Sequence, residues 1–366
     1  MMLIREIIKK FEEIVPKQIE WEKDNSGFQL GDAGREVEKI LICLELTEAV
    51  VEEAKEINAS LIFTHHPFIF HSIKTINLRS ALGSIIEKLI KSDISVYSAH
   101  TNFDQYKNGI SYALGNKLNL KEMRPLVVEG EHYYKITAFV PEESADKVAL
   151  ALSEAGAGNI GNYSECSFQS PGEGSFRGST ESNPYLGTKG EKEKVKEIKL
   201  EMIFPKWKES GIVKALRLSH PYEEPAFDII PLKNKIPEFG YGVTGELEHE
   251  TPAKEFLTLL KKTLNIPFIK CAGNLNKNVK RISLLGGSGG NYINTAIKEG
   301  SDIFITADLS YHMFFNADEK IIIADAGHYE TEIFGLTELQ RLLEQLFSPE
   351  VIIIKTKNIT NPIIYF

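Results

Sequence analysis

The stretch Ser60-Leu61-Ile62-Phe63-Thr64-His65-His66-Pro67 decides how this chain is read. Its apolar run predicts a strand that ends directly in two adjacent histidines. In open α/β sheets, ligands lie beyond the carboxyl ends of strands, which is where this strand delivers its imidazoles. Adjacent side chains of an extended strand diverge to opposite faces, so only a turn, here favoured by Pro67, lets both rings approach a common site.

The same arrangement repeats on either side. Residues 39–46 read as a strand through Ile40, Leu41, Ile42 and Leu44, and residues 47–57 as a helix. A helix over 78–91 precedes a strand over 94–98, which runs into Ser98-Ala99-His100-Thr101-Asn102-Phe103-Asp104. Further upstream, Ile4, Ile7, Ile8, Phe11 and Ile14 have the spacing of a helix stripe that Pro16 ends. Strand, helix and strand in succession predict an α/β fold with a parallel or mixed sheet under covering helices.

From about residue 131 to 232 the pattern changes. Strands are expected over 133–140, 163–169, 194–204 and 226–230 and helices over 142–155 and 206–215, with residues 170–190, rich in Gly, Ser and Pro, as a flexible hairpin. This βαββαβ order predicts an inserted ferredoxin-like module. After it the first pattern returns: helices over 252–264, 292–299 and 330–346, and strands over 281–285, 303–306 and 321–325. The expected architecture is a discontinuous two-half α/β main domain, residues 1–130 and 233–366, split by an insert at 131–232.

Six of the nine histidines lie at or near the segments His65-His66, His71, His100 to Asp104, Tyr311-His312 and Gly327-His328-Tyr329-Glu330-Thr331-Glu332. Imidazole with carboxylate favours zinc, iron or manganese, because neither thiolates nor an all-oxygen cage are offered. His328 and Glu332 stand four apart at a helix start, hence on one face. Asp104 has two oxygens and is able to bridge two ions, which stand ~3.5–4 Å apart in two-metal enzymes. His100 is expected to orient a ligand or handle a proton rather than to ligate. Asp24, Asn25 and Gly27 either line a substrate pocket or belong to a turn, since Asp-Asn-Ser-Gly is turn chemistry. Leu285-Gly286-Gly287-Ser288-Gly289-Gly290 lacks the Gly-Lys-Ser/Thr ending of a phosphate loop and reads as a tight turn. His220-Pro221-Tyr222-Glu223 reads as a packed turn rather than a second binding site.

Composition narrows the classes. At 366 residues the chain is long enough for about two domains and needs no covalent staples. Three widely spaced cysteines, Cys43, Cys166 and Cys271, exclude a zinc ribbon or a disulfide framework. A net charge of −9 disfavours a nucleic-acid partner. No secretory h-region and no long apolar run is present, so the chain reads as cytoplasmic, without membrane contact.

At these segments the chain resembles the NGG-interacting-factor-like family, whose members are labelled GTP cyclohydrolase 1 type 2 homologues. The matching motifs are Asp24-Asn25-Ser26-Gly27-Phe28-Gln29-Leu30-Gly31, Thr64-His65-His66-Pro67, His100-Thr101-Asn102-Phe103-Asp104 and Gly327-His328-Tyr329-Glu330-Thr331-Glu332. The insert is similar to the extra module of longer bacterial members, through Gly161-Asn162-Tyr163-Ser164-Glu165-Cys166, Asn183-Pro184-Tyr185-Leu186-Gly187 and Ser219-His220-Pro221-Tyr222-Glu223-Glu224-Pro225. The resemblance implies two divalent metal ions held by His65, His66, Asp104, His328 and Glu332, and a toroidal homohexamer. Members of the family commonly carry Asp where Glu45 stands and Gly where Ala307 stands; neither difference removes a ligand. Two functions follow as expectations: a dinuclear metal-dependent hydrolase of a small nucleotide-like substrate, or a metal-binding regulatory or scaffold protein whose insert senses a small molecule or a partner.

Overall fold

The computed structural model describes residues 2–365. It divides into two compact units, one running up to Glu129 and resuming at Pro237, the other spanning Gly130–Ile236.

The first unit holds two main sheets. In one, the strands Ile352–Lys355, Lys39–Cys43, Leu61–Thr64 and Ser95–Ser98 run parallel in that spatial order, and Gly27–Leu30 closes the edge antiparallel. Alternation sorts the side chains of the central strands to the two faces. Ile40, Ile42, Leu61, Phe63 and Tyr97 pack with the helices Ile4–Ile14 and Gly335–Phe347. Leu41, Cys43, Ile62 and Val96 pack with Glu48–Glu56 and Ala81–Lys91. Both faces are therefore dry, as a parallel sheet requires, and each fully buried Ile or Phe contributes about 1.5–3 kcal/mol.

The second sheet has six strands in the order Lys270–Ala272, Ile322–Asp325, Ile303–Ala307, Asn278–Ser288, Tyr241–Pro252 and Lys121–Val127. Its three middle strands, Ile322–Asp325, Ile303–Ala307 and Asn278–Ser288, are parallel. The remaining pairings are antiparallel.

In the Gly130–Ile236 unit the chain order is strand, helix, strand, strand, helix, strand, and the four strands form one antiparallel sheet. Phe227–Leu232 and Tyr133–Pro141 are neighbours in it, followed by Lys192–Pro205 and Phe168–Arg177. Ile136, Ala138, Val140, Leu200, Met202 and Phe204 face the helices Ala145–Glu154 and Glu209–Ser219 over a small core. Both units have adjacent ends at the junctions. Val127 pairs with Tyr241 in the first, and Tyr133 pairs with Leu232 in the second.

Three sequence expectations shift. The strand expected over 163–169 instead spans Phe168–Arg177, because residues expected to form a loose hairpin pair with Lys192–Glu201. The helix expected over 330–346 is two, His328–Glu332 and Gly335–Phe347, interrupted at Ile333-Phe334. Strands at Gly27–Leu30, Lys121–Val127 and Tyr241–Pro252 carry no clean apolar alternation and were not expected. Among the described residues no helix is long and apolar enough to cross a membrane.

Candidate metal centre

The strand Leu61–Thr64 ends where expected, and the chain then leaves the strand course. The His65 and His66 amides donate to the carbonyls of Cys43 and Leu44, each at 3.0 Å, and the Thr64 hydroxyl donates to Leu44 O at 2.8 Å. This turn brings the two rings to the same side, with centroids 4.8 Å apart. The strand Ser95–Ser98 runs into the short helix Thr101–Asp104, which places Asp104 Oδ1 3.6 Å from His65 Nε2. From the other sheet, helix His328–Glu332 presents both its ends. His328 Nε2 lies 3.1 Å from Glu332 Oε1, and Glu332 Oε2 lies 3.1 Å from His66 Nε2. The two Nε2 atoms of His66 and His328 are 3.2 Å apart.

Four imidazoles converge, and each has its Nδ1 occupied from behind. His65 Nδ1 lies 2.8 Å from the Ala99 carbonyl, His66 Nδ1 2.6 Å from Glu45, His100 Nδ1 2.7 Å from Asp24 and His328 Nδ1 2.6 Å from Asp308. A carbonyl or carboxylate oxygen only accepts, so His65, His100 and His328 each carry a proton on Nδ1, and all four Nε2 atoms face inward, able to offer a lone pair once any proton there is displaced. Two triads of possible ligand atoms share His66: His65, His66 and His100, and His66, His328 and Glu332, each set within 4.8 Å.

The electrostatics fit an ion. His65 Nε2, Asp104 Oδ1 and Glu332 Oε2 are buried with no hydrogen-bond partner. Unpartnered buried polar atoms cost stability unless something else satisfies them, and a cation meets donors of both kinds at once. Burial holds the His65 imidazole down at about 3, hence neutral, as a ligand must be. Burial also disfavours charge on His66 and His328, but the adjacent carboxylates of Glu332 and Glu45, and of Asp308 and Glu332, outweigh it and raise them to about 10 and about 11. Burial pushes Asp104 up to about 7, with Glu332 adding to the rise and His100 opposing it. Glu332 is held well below the usual carboxylate range: burial raises it, but His328 and His66 more than offset that.

Gly287 completes the arrangement. Its φ is +70°, and a Cβ there would lie 2.2 Å from Glu332 Oε1 and 3.1 Å from His328 Nε2. The Gly-rich run is thus a close backbone approach to the cluster, and the Gly287 amide donates to Thr331 Oγ1 at 3.0 Å.

Of the residues expected from sequence, His65, His66, Asp104, His328, Glu332 and His100 come together here. Asn25 and Gly27 lie in the segment that carries Asp24. Asn25 donates to the Ile69 carbonyl at 2.6 Å, and Gly27 begins the edge strand Gly27–Leu30. Their neighbour Asp24 reaches the cluster instead, taking hydrogen bonds from His100, Thr101 and the Asn25 amide. The three carboxylates behind the rings, Asp24, Glu45 and Asp308, were missed in these roles. Two of them announce themselves by position, just past the strands Lys39–Cys43 and Ile303–Ala307.

A cavity of about 460 Å³ opens beside His66 and His328. Its walls include Glu45, Asp308, Lys270, Tyr329, Glu330 and Tyr365. The C-terminal segment is tied to this wall: Asn361 and the Tyr365 hydroxyl donate to Glu330 Oε1 at 2.9 and 3.1 Å.

The family profile of Duf34/NIF3 (NGG1p interacting factor 3) matches residues 2–362. Halalkalibacterium halodurans and Bacillus subtilis proteins, each named GTP cyclohydrolase 1 type 2 homolog, are 38% identical over 94% and 90% of this chain and 95% and 89% of their own lengths. Among solved structures, a Bacillus cereus protein related to NIF3 superposes with TM-score 0.83 at 36% identity, covering 100% of this chain and 99% of that one. Staphylococcus aureus protein SA1388 gives 0.79 at 29% identity, with the same coverage. The chain belongs to the Duf34/NIF3 family.

Proposed function

We propose that this Duf34/NIF3 member binds two divalent metal ions, zinc, iron or manganese, and is a metal-dependent hydrolase of a small nucleotide-like substrate. The observation that carries the reading is the set of inward-turned Nε2 atoms and orphaned buried oxygens, with a proton acceptor behind every ring. His65, His66, Asp104, His328 and Glu332 would hold the ions. When bound, such a pair supplies Lewis acidity and an activated water near neutral pH.

The chain's own residues do the rest. Ala99, Glu45, Asp24 and Asp308 fix the rings, and Asp104, shared in charge between both sheets' ligands, is the bridging candidate. His100, held by Asp24 at the edge of the cluster, is assigned proton transfer. The neighbouring cavity carries Glu45, Asp308, Asp325 and Glu330 against one cation, Lys270, which is itself paired with Asp325 at 2.9 Å. A phosphate-bearing substrate would therefore have to place its anionic end at the ions and a neutral, donor-rich end in the cavity.

The regulatory or scaffold reading expects a closed site, since structural metals have no free position; the cavity at His66 and His328 favours access. The Gly130–Ile236 unit is read as an inserted ferredoxin-like module, on the support of its βαββαβ order and adjacent ends, and a homohexamer remains a proposal from the family resemblance. The test is turnover by metal-reconstituted protein against nucleosides, nucleotides, phosphoesters and cyclic amides. His100→Ala should keep the metal and slow turnover by ~10²–10⁴-fold. Loss of an ion in that variant would make His100 a ligand, and unaltered turnover in both His100→Ala and Glu332→Gln would transfer the case to the regulatory reading.

A further inference from the structure

A second cavity, about 600 Å³, is lined wholly by residues of the Gly130–Ile236 unit, in the size class of small-molecule sites. It stands on the sheet face opposite the helices. Leu200, Met202 and Phe204 point to the helical core, so Glu197 and Lys199 point the other way. Across the pair, Glu197 is opposite Gly172 and Lys199 opposite Ser170. Gly172 and Gly174 put no side chain on this face, which leaves a floor of bare backbone. A Cβ on Gly174 would come within 1.9 Å of Glu197 Oε2, so the glutamate carboxylate itself occupies that space.

Three rings form the walls. Phe176 and Tyr185 flank Tyr222, with ring centroids 6.0 and 6.3 Å from it. The Tyr222 hydroxyl donates to Glu197 Oε1 at 2.9 Å, so ring and carboxylate are held as one piece. Four carboxylates, Glu173, Glu197, Glu223 and Glu224, line the cavity against one ammonium, Lys199, which leans to Glu201 at 3.4 Å. Aromatic faces and net negative charge both attract cations. The acids do not converge as ion ligands do: Glu173 pairs with Lys194 and Glu223 accepts from the Asn183 amide. Among the described residues, groupings close enough to hold a metal occur at the histidine cluster alone.

We infer that this cavity is a binding site for a small organic cation of the alkylammonium class, held over Glu197 between Phe176, Tyr185 and Tyr222. It shares no residue with the histidine cluster, and its failure would leave the metal reading untouched.

The experiment is calorimetric titration of the full metal-loaded chain with choline and, in parallel, with its uncharged isostere 3,3-dimethylbutan-1-ol. Choline should saturate one site per chain, with the isostere about tenfold weaker or more, the contrast expected of a charge-dependent aromatic site. Glu197→Gln and Tyr222→Leu should each weaken choline about tenfold, and Gly174→Val, which displaces the glutamate carboxylate, should do the same. Tyr222→Phe, which keeps the ring, should retain most of the binding. Circular dichroism and melting of each variant check that the unit is folded, and the wild-type contrast between the two ligands needs no variant. Equal binding of both ligands, undiminished choline binding by Glu197→Gln, or no saturable choline binding below about 10 mM overturns the proposal.

Discussion

At the histidine cluster several buried polar atoms have no hydrogen-bond partner, and three of the four rings are clamped from behind. In the cavity of the Gly130–Ile236 unit Glu173, Glu197 and Glu223 have partners already, and what stands open is volume between rings. The first region is a set of fixed donor atoms turned on one another; the second is a fixed charge beside open volume. A site of the first kind loses its ligand when a single donor is removed, whereas one of the second kind weakens by degrees.

The sharpest way to break that contrast is Asp104→Ala. A bridging carboxylate contributes to both ions, so the variant should lose most of both of the roughly two ions expected per chain. Elemental analysis of purified protein reads this directly, and full retention of both would remove the bridging role. Next in size is Glu332→Gln, whose neutral amide is a poor ligand. It should weaken one ion and lower any hydrolytic rate, while choline titration stays unchanged.

The pH dependence comes third. The Asp104 carboxyl is raised to about 7 by burial, so its contribution to the ion-free fold is fully present below the usual carboxylate value and lost as pH rises through about 7. The raised imidazoles of His66 and His328 have the same sign, their contribution present below the ordinary histidine value and lost through about 10 and about 11. An ion takes the place of these protons. Melting scans should therefore show a metal-induced rise in Tm that grows by roughly a few degrees from about pH 5 to about pH 8. A flat or falling increment would contradict the assignment.

The smallest expected effect is from excision. Joining Glu129 to Pro237 through a short Gly-Ser linker should leave the first unit folded and its metal content unchanged, because Val127 and Tyr241 are already strand partners. Atomic absorption and a cooperative melt check it; loss of both would show that the units are not independent.

Much of this was legible in the sequence. The strands before His65 and His100 are apolar runs closed by polar residues, and the Ile4–Ile14 stripe has helical spacing, so local pattern and tertiary role agree. His328 and Glu332 were readable because helical spacing alone places them together. The groups behind the rings were not. Asp24 stands 76 residues from His100 and Asp308 20 from His328, and no periodicity links residues that meet only because two strands end side by side. Gly287 looked like a turn because a positive φ and a crowded Cβ call for the same residue. In the insert, Phe168–Arg177 was hidden because Gly and Pro lower strand propensity, and it is secured by its ten-residue partner run.

The paired ends at the junctions connect the two units through chain statistics. While the Gly130–Ile236 unit is folded, Tyr133 and Leu232 sit opposite one another, and the strands Lys121–Val127 and Tyr241–Pro252 are in effect joined by a short tether. If that unit melts, the same strands are joined by a coil of about a hundred residues. Each doubling of a loop costs only about 0.6 kcal/mol, so the change amounts to roughly 2 kcal/mol. Anything that steadies the Gly130–Ile236 unit would thus firm the unit that carries the histidine cluster by shrinking the ensemble its own chain explores, a coupling that requires no surface shared between them.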